Sequence, residues 1–165
     1  MADLSRFRKL EPELEPVLEL WIEAEPKPIQ SVRFASRGGF VQAFQPRANK
    51  EWKAYIKAAV QQQLPPGWEP LTGIPVSTKV VYVYKPLKSF YKWQKELVDE
   101  GGVIWKHTKP DVNDNLNKGL YDALTGVVWQ DDAILAHGEP MKIYANSPGI
   151  YMEVRTIKQK GKRNE

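Results

Sequence analysis

The stretch Val76 to Tyr84 limits the possible folds of this chain more than any other. Val80, Tyr82 and Tyr84 alternate with Val81 and Val83, so apolar side chains stand on both faces of one extended segment. A strand of that kind belongs in the interior of a sheet, with neighbours on both sides. The chain supplies them. After Val17, Leu18, Leu20, Ile22 and Ala24 alternate with Glu19, Trp21 and Glu23, the period-2 pattern of a strand with one buried face, which Pro26 and Pro28 end. Ser31 to Phe44 reads as two short strands about Arg37-Gly38-Gly39, where glycine supplies the positive φ of a tight hairpin. Ile150 to Ile157 reads as a final strand, and Ile134 to Ala145 is ambiguous.

Two helices are expected beside the sheet. Trp52, Ile56, Ala59, Val60 and Leu64 mark one face of a helix of roughly 16 residues that follows Pro46 and stops at Pro65-Pro66-Gly67. From about Val112 to Thr125, Leu116, Leu120 and Leu124 form one row, and Asp114, Lys118 and Asp122 form another. At 100° per residue the rows lie roughly 160° apart, so the leucines can be buried while the Asp and Lys row is exposed. Asp111, three residues before Asp114, shares its side if the first turn is regular. Gly126-Val127-Val128-Trp129 reads as a short strand that returns Asp131 and Asp132 towards the helix start.

Charge is unevenly spread over these elements. Five of the seven aspartates (Asp111, Asp114, Asp122, Asp131, Asp132) fall between Lys109 and Asp132. Residues 26 to 109 carry 14 basic and five acidic groups, whereas residues 110 to 139 carry one basic and six acidic. A basic body around an acidic kernel suits a polyanion, with divalent cations relieving the repulsion between carboxylates. An ordinary soluble protein of pI near 9.2 would share the total charge. Oxygen-only donors favour hard cations, chiefly magnesium or manganese, and such a site activates water against a phosphodiester, in some enzymes through two ions about 4 Å apart. Taken singly, Asp111 reads as an N-cap, Asp114 as a favourable first-turn charge and Asp131-Asp132 as a turn; their joint occurrence in a basic chain favours a metal site.

Candidate phosphate contacts are Arg33 and Arg37 beside the hairpin turn, and Lys50, Lys53 and Lys57, a helical stripe that could also be a solvated face. Lys85 to Lys109 is the least regular part of the sequence. There six lysines, Lys88, Lys92, Lys95, Lys106 and Lys109 among them, interleave with Phe90, Tyr91, Trp93 and Trp105. Lysines neutralise phosphates and aromatic faces stack on unpaired bases, so this segment is expected to contact DNA, unless the aromatics are simply buried. His107 and His137 have no ligand or nucleophile spacing and are expected to pack or to lie on the surface. No Walker-type phosphate loop and no nucleophile elbow is present, which disfavours nucleotide hydrolysis and acyl transfer.

His107-Thr108-Lys109-Pro110-Asp111, Asp114-Asn115-Leu116-Asn117-Lys118 and Asp122 to Asp132 together resemble the core of the RusA family of Holliday junction resolvases. That core reads Lys-Pro-Asp-x-Asp-Asn-Leu-x-Lys, then Asp-Ala-Leu-x-Gly, then Asp-Asp. The resemblance implies a small two-layer α+β domain with a mixed β-sheet and packed helices. It also implies a homodimer with two active sites and magnesium-dependent paired cleavage of four-way DNA junctions in recombination and repair. On these residues the catalytic set is Asp111, Asp114, Lys118 and Asp132, with Asp111, Asp114, Asp131 and Asp132 as metal ligands. One departure stands out: two residues, Val112 and Asn113, separate the first two aspartates where the family has one. The alternatives left open are a junction-binding protein whose shifted aspartate has disarmed the site, and a nuclease for flaps or forks.

At 165 residues the chain suits one domain, expected over residues 17 to 157, with a flexible leader at 1 to 16 and a basic tail at 158 to 165. It has no cysteine, so thiolate metal sites and disulfides are excluded. No apolar run approaches the roughly 20 residues of a membrane span. A cytoplasmic protein of bacterial or phage origin is expected, without membrane partners.

Overall fold

A computed structural model describes residues 3–28, 33–44 and 47–161; for the strands within 33–44 it describes the backbone and not the strand side chains. The elements in order are α1 (Ser5–Arg8), β1 (Leu14–Ile22), β2 (Arg33–Arg37), β3 (Phe40–Phe44), α2 (Arg47–Gln61), β4 (Val76–Tyr84), α3 (Lys92–Asp99) and β5 (Ile104–Trp105). A π-helical turn (Val112–Asn117) then leads into α4 (Lys118–Leu124). A 3-10 turn (Asp132–Ile134), β6 (Leu135–Tyr144) and β7 (Gly149–Ile157) complete the chain.

Five strands form one sheet in the order β1-β7-β4-β6-β5, with β4 at its centre as its two apolar faces require. β4 runs parallel to β6 and antiparallel to β7, so the sheet is mixed. β2 and β3 form a separate antiparallel hairpin, and Gly38 and Gly39 take the positive φ that its turn needs. One face of the sheet presents Leu18, Leu20 and Ile22 from β1, Val76, Val80 and Tyr82 from β4, and Ile150, Met152 and Val154 from β7. Ile56 and Val60 of α2 and Leu120, Ala123 and Leu124 of α4 pack into the same cluster. Sheet and helices thus make the two layers of a small α+β domain.

Three expectations about segments need correction. The segment from Lys85 to Lys109, the least regular by sequence, contains two elements that its pattern did not show, α3 and β5. The backbone N–H of Tyr91 donates to Gln94 Oε1 (2.8 Å), which starts α3, and Gly101, at φ 88°, ends it. Residues 126 to 129 form a buried turn, not a strand: the N–H groups of Val127 and Val128 both return to Leu124 O (3.0 and 2.9 Å). The helix expected from Val112 to Thr125 is two helical types in series. The ambiguous stretch resolves as β6, and β1 starts at Leu14, three residues before Val17.

Candidate active site

The helix that carries the first carboxylates begins at Asp111. Its backbone is extended (φ −66°, ψ 139°), and its Oδ1 accepts the N–H of Asp114 at 2.8 Å. This is the N-cap arrangement that Asp at that position favours. The next turn is wider than an α-turn. The N–H of Leu116 reaches Asp111 O at 3.1 Å, and the N–H of Lys118 bonds to Asn113 O, so both bonds span five residues. A π-turn holds one more residue than an α-turn and is frequent at functional sites. Here it houses the extra residue between Asp111 and Asp114. From Leu116 onward the i+4 leucine row stays inward: Leu116, Leu120 and Leu124 are all buried, while Asp114 and Lys118 are exposed.

The turn is pinned from beneath. Tyr82, on the central strand, donates from its hydroxyl to Asn117 Oδ1 at 2.6 Å, and both residues are buried. Burial, helped by the neighbouring phenols of Tyr121 and Tyr84, holds the Tyr82 hydroxyl well above its ordinary pKa, so it remains a donor. The loop before the turn is held by Lys142 on β6, whose Nζ donates to Thr108 O (2.6 Å) and Pro110 O (2.8 Å). Lys106 adds a third tie, donating to Thr108 Oγ1 (2.9 Å) and the Tyr144 hydroxyl (3.0 Å) from between the Tyr84 and Tyr144 rings. Lys142 and Tyr82 were not among the candidates. The signal for Lys142 was a lysine inside the apolar run Met141 to Tyr144, in a segment whose type was ambiguous.

The second group of carboxylates lies at the far end of α4. Gly126, at φ 82°, turns the chain, and Trp129 is fully buried edge-on to Tyr121 (5.7 Å). Leu71 brackets this turn through Leu71 N–H to Val128 O and Gln130 N–H to Leu71 O, each 2.9 Å. Asp131 follows, and its Oδ1 accepts the Ala133 N–H at 2.9 Å. Desolvation first, then the negative charges of Asp122 and Asp131, push the Asp132 carboxyl above its ordinary range. Asp122 and Asp131 thus both bear on Asp132, and Lys53 of α2 places its ammonium 3.6 Å from Asp122 Oδ2. Asp122, which the catalytic set left out, belongs with this group.

Two carboxylate groups thus flank the exposed side of the leucine-backed helix: Asp111 with Asp114, and Asp122 with Asp131 and Asp132. Among the described residues, no three His, Cys, Asp or Glu side chains lie close enough together to hold a metal ion as they stand. The donor chemistry nonetheless fits a hard divalent cation. All donors are carboxylate oxygens on exposed residues, and crowded like charges at Asp132 are what such an ion would relieve.

The remaining candidates divide by position. Lys50, Lys57, Lys88, Lys92, Lys95 and Lys109 are exposed, with Lys92 3.8 Å from Glu96. Lys53 and Lys106 spend their ammonium groups on Asp122 and on the Thr108 loop. The side chains of Arg33 and Arg37 lie outside the described residues. His107 is exposed, and His137 packs through Nδ1 to Ser77 Oγ at 2.8 Å. No helix among the described residues is long and apolar enough to cross a membrane.

The profile of the family described as endodeoxyribonuclease RusA matches residues 23–155. The chain is also similar to the uncharacterized protein YqaN of Bacillus subtilis, at 30% identity over 143 residues, which covers 85% of this chain and 96% of that protein.

Proposed function

Since the chain belongs to the RusA endodeoxyribonuclease family, we propose that it resolves four-way DNA junctions by paired, symmetric, metal-dependent nicks in recombination and repair. The observation that carries this reading is the family match over residues 23–155, and it is supported by Asp111, Asp114 and Lys118 standing exposed along a helix whose leucine row is buried. Asp111, Asp114, Asp131 and Asp132 would hold magnesium or manganese, which when bound supplies an activated water and neutralises charge on the scissile phosphate. Lys118, exposed between the two carboxylate groups, donates to a non-bridging oxygen or to the leaving group. Asp122 and Lys53 set the local charge. The exposed lysines of α2 and of residues 88–109 hold the phosphate backbone, a contact that weakens as salt rises. Symmetric cutting of two strands calls for two sites, hence a homodimer. The reaction would take place in the cytoplasm.

A second reading has one observation in its favour. Asp111 already spends one oxygen on the Asp114 N–H, and among the described residues no carboxylate trio is assembled, as in a protein that binds junctions without cutting them. An end-labelled four-way junction incubated with magnesium or with EDTA, beside linear duplex and flap controls, separates the readings. Symmetric nicks that need magnesium are the expected result. A shifted but intact junction would establish the binder, and preferential cutting of the flap would redirect the proposal to flaps or forks.

A further inference from the structure

We propose that the segment from Tyr91 to Trp105 is a stacking platform for unpaired DNA bases, a binding site separate from the carboxylate centre. The proposal rests on the DNA-directed reading above and adds which part of the substrate this segment takes. The inner positions of the segment are already filled by apolar groups. Phe90 sets its ring edge-on to Tyr144 at 4.9 Å, Val98 is buried, and Ile104 packs against the core. The outer positions carry aromatics all the same: Tyr91 is 72% exposed, Trp93 60% and Trp105 62%. Along Ile104, Trp105 and Lys106 the chain alternates inward, outward, inward, so strand geometry fixes Trp105 outside. Two indoles more than half exposed in one short segment leave ring surface free to stack.

Charge over the wider stretch 85–109, six lysines against Glu96, Asp99 and Glu100, favours a polyanion as occupant. Lys92 and Lys95 are exposed within the segment, and Lys88 and Lys109 are exposed just beyond its ends. Exposed rings among ammonium groups match a strand whose phosphates meet the lysines while its bases stack on the indoles. The platform is also fixed relative to the carboxylate centre. Trp105 pairs with Ile143, Lys106 N–H bonds to Lys142 O at 2.9 Å, and the Lys142 side chain holds the loop that leads into Asp111. Trp105 and Asp111 are six positions apart in the chain, so the two lie within about 20 Å of each other.

The test is fluorescence anisotropy of the full chain in EDTA, with a fluorescein-labelled oligothymidylate and a fully paired duplex as probes. Stacking on aromatic side chains is worth about 1–3 kcal/mol per base, so Trp93→Ala and Trp105→Ala are each expected to weaken oligothymidylate binding by about 5- to 100-fold. Duplex binding should change by less than about twofold, and Trp93→Phe and Trp105→Phe should recover most of the strand affinity. Circular dichroism of each variant confirms that it is folded. Equal loss on both probes would overturn the proposal, as would unchanged strand affinity. So would conversion of a dimer into a monomer with strand affinity intact, which would make the face a contact between copies of this chain. The junction-cleavage assay is read separately. If the wild-type chain leaves junctions uncut but the alanine variants lose strand binding, the platform stands and the nuclease reading falls.

Discussion

The two carboxylate groups are built alike at their start and differ in what surrounds them. In each, one aspartate caps a short helical turn: Asp111 receives the N–H of Asp114, and Asp131 receives that of Ala133. In each, a second aspartate sits inside the capped turn, Asp114 in the first and Asp132 in the other. The front pair stands on a π-turn tied from below by Tyr82 and from behind by Lys142. The rear group brings the charges of Asp122 and Asp131 to bear on Asp132, with Lys53 as its one ion-pair partner among the described residues. Position is held tightly at the front and charge is held under tension at the rear. Capping also divides the labour, since a capping aspartate has a structural duty that Asn can perform and the aspartate inside the turn has none.

That division is broken most severely by Asp114→Asn and Asp132→Asn. Each should lower magnesium-dependent junction cleavage by about 100-fold or more, the scale of losing a group that acts on the transition state, while junction affinity in EDTA stays intact. Asp111→Asn sharpens the point, because Asn caps as well as Asp and isolates the charge. Cleavage should fall and thermal stability should not. If Asp111→Asn cuts at the wild-type rate while the other two are dead, Asp111 is a cap and nothing more. Lys142→Met tests the tie behind the front pair. It removes two charge-assisted hydrogen bonds without touching a carboxylate, and should cost about 10- to 100-fold in single-turnover cleavage, the usual penalty for losing a group that orients a metal ligand.

Deleting Asn113 is a milder challenge. An α-turn then replaces the π-turn, the leucine row keeps its register, and Asp111 and Asp114 move to the family's spacing. Cleavage within about tenfold of wild type is expected, since helix neighbours remain neighbours at either spacing. Loss on the scale of Asp114→Asn would mean that the wide turn itself places Asp111.

The central strand, the first strand and the leucine row were legible because period alone decides them: Val80 and Tyr82, Leu18 and Leu20, Leu116 and Leu120 are all buried as their spacing demanded. The π-turn was not, because one residue too many between two aspartates shows in the sequence only as a count. Whether the chain absorbs it by a wider turn or by a shifted cap depends on the Tyr82 to Asn117 bond, which links positions 35 residues apart. The same holds for Lys142 and for Lys53, whose partners lie on other elements. Helix α3 was not legible because it is only eight residues long, so Trp93, Leu97 and Val98 give about two turns of period among other aromatics, and its start depends on the Gln94 side chain reaching back to the Tyr91 N–H.

The smallest effect expected is on stability, and it tests the tension at the rear directly. The Asp132 carboxyl is raised above its ordinary value of 3.8 in the folded chain, chiefly by desolvation and then by Asp122 and Asp131. In the unfolded chain those neighbours are gone, and the group returns to about 3.8. Between the two values the folded state holds more protons than the unfolded state, so this group makes stability fall as pH rises through that window. Above the window the full penalty persists; below about 3.8 it vanishes, because Asp132 is protonated in both states. In metal-free buffer Asp132→Asn should therefore raise Tm at neutral pH, and the gain should shrink as the pH is lowered through the window. Added magnesium should raise the wild-type Tm more than that of Asp132→Asn, since an ion that binds only the folded state stabilises it by mass action. An Asp132→Asn variant no more stable than wild type at neutral pH would show that Lys53 already cancels the repulsion, and that front and rear differ in geometry alone.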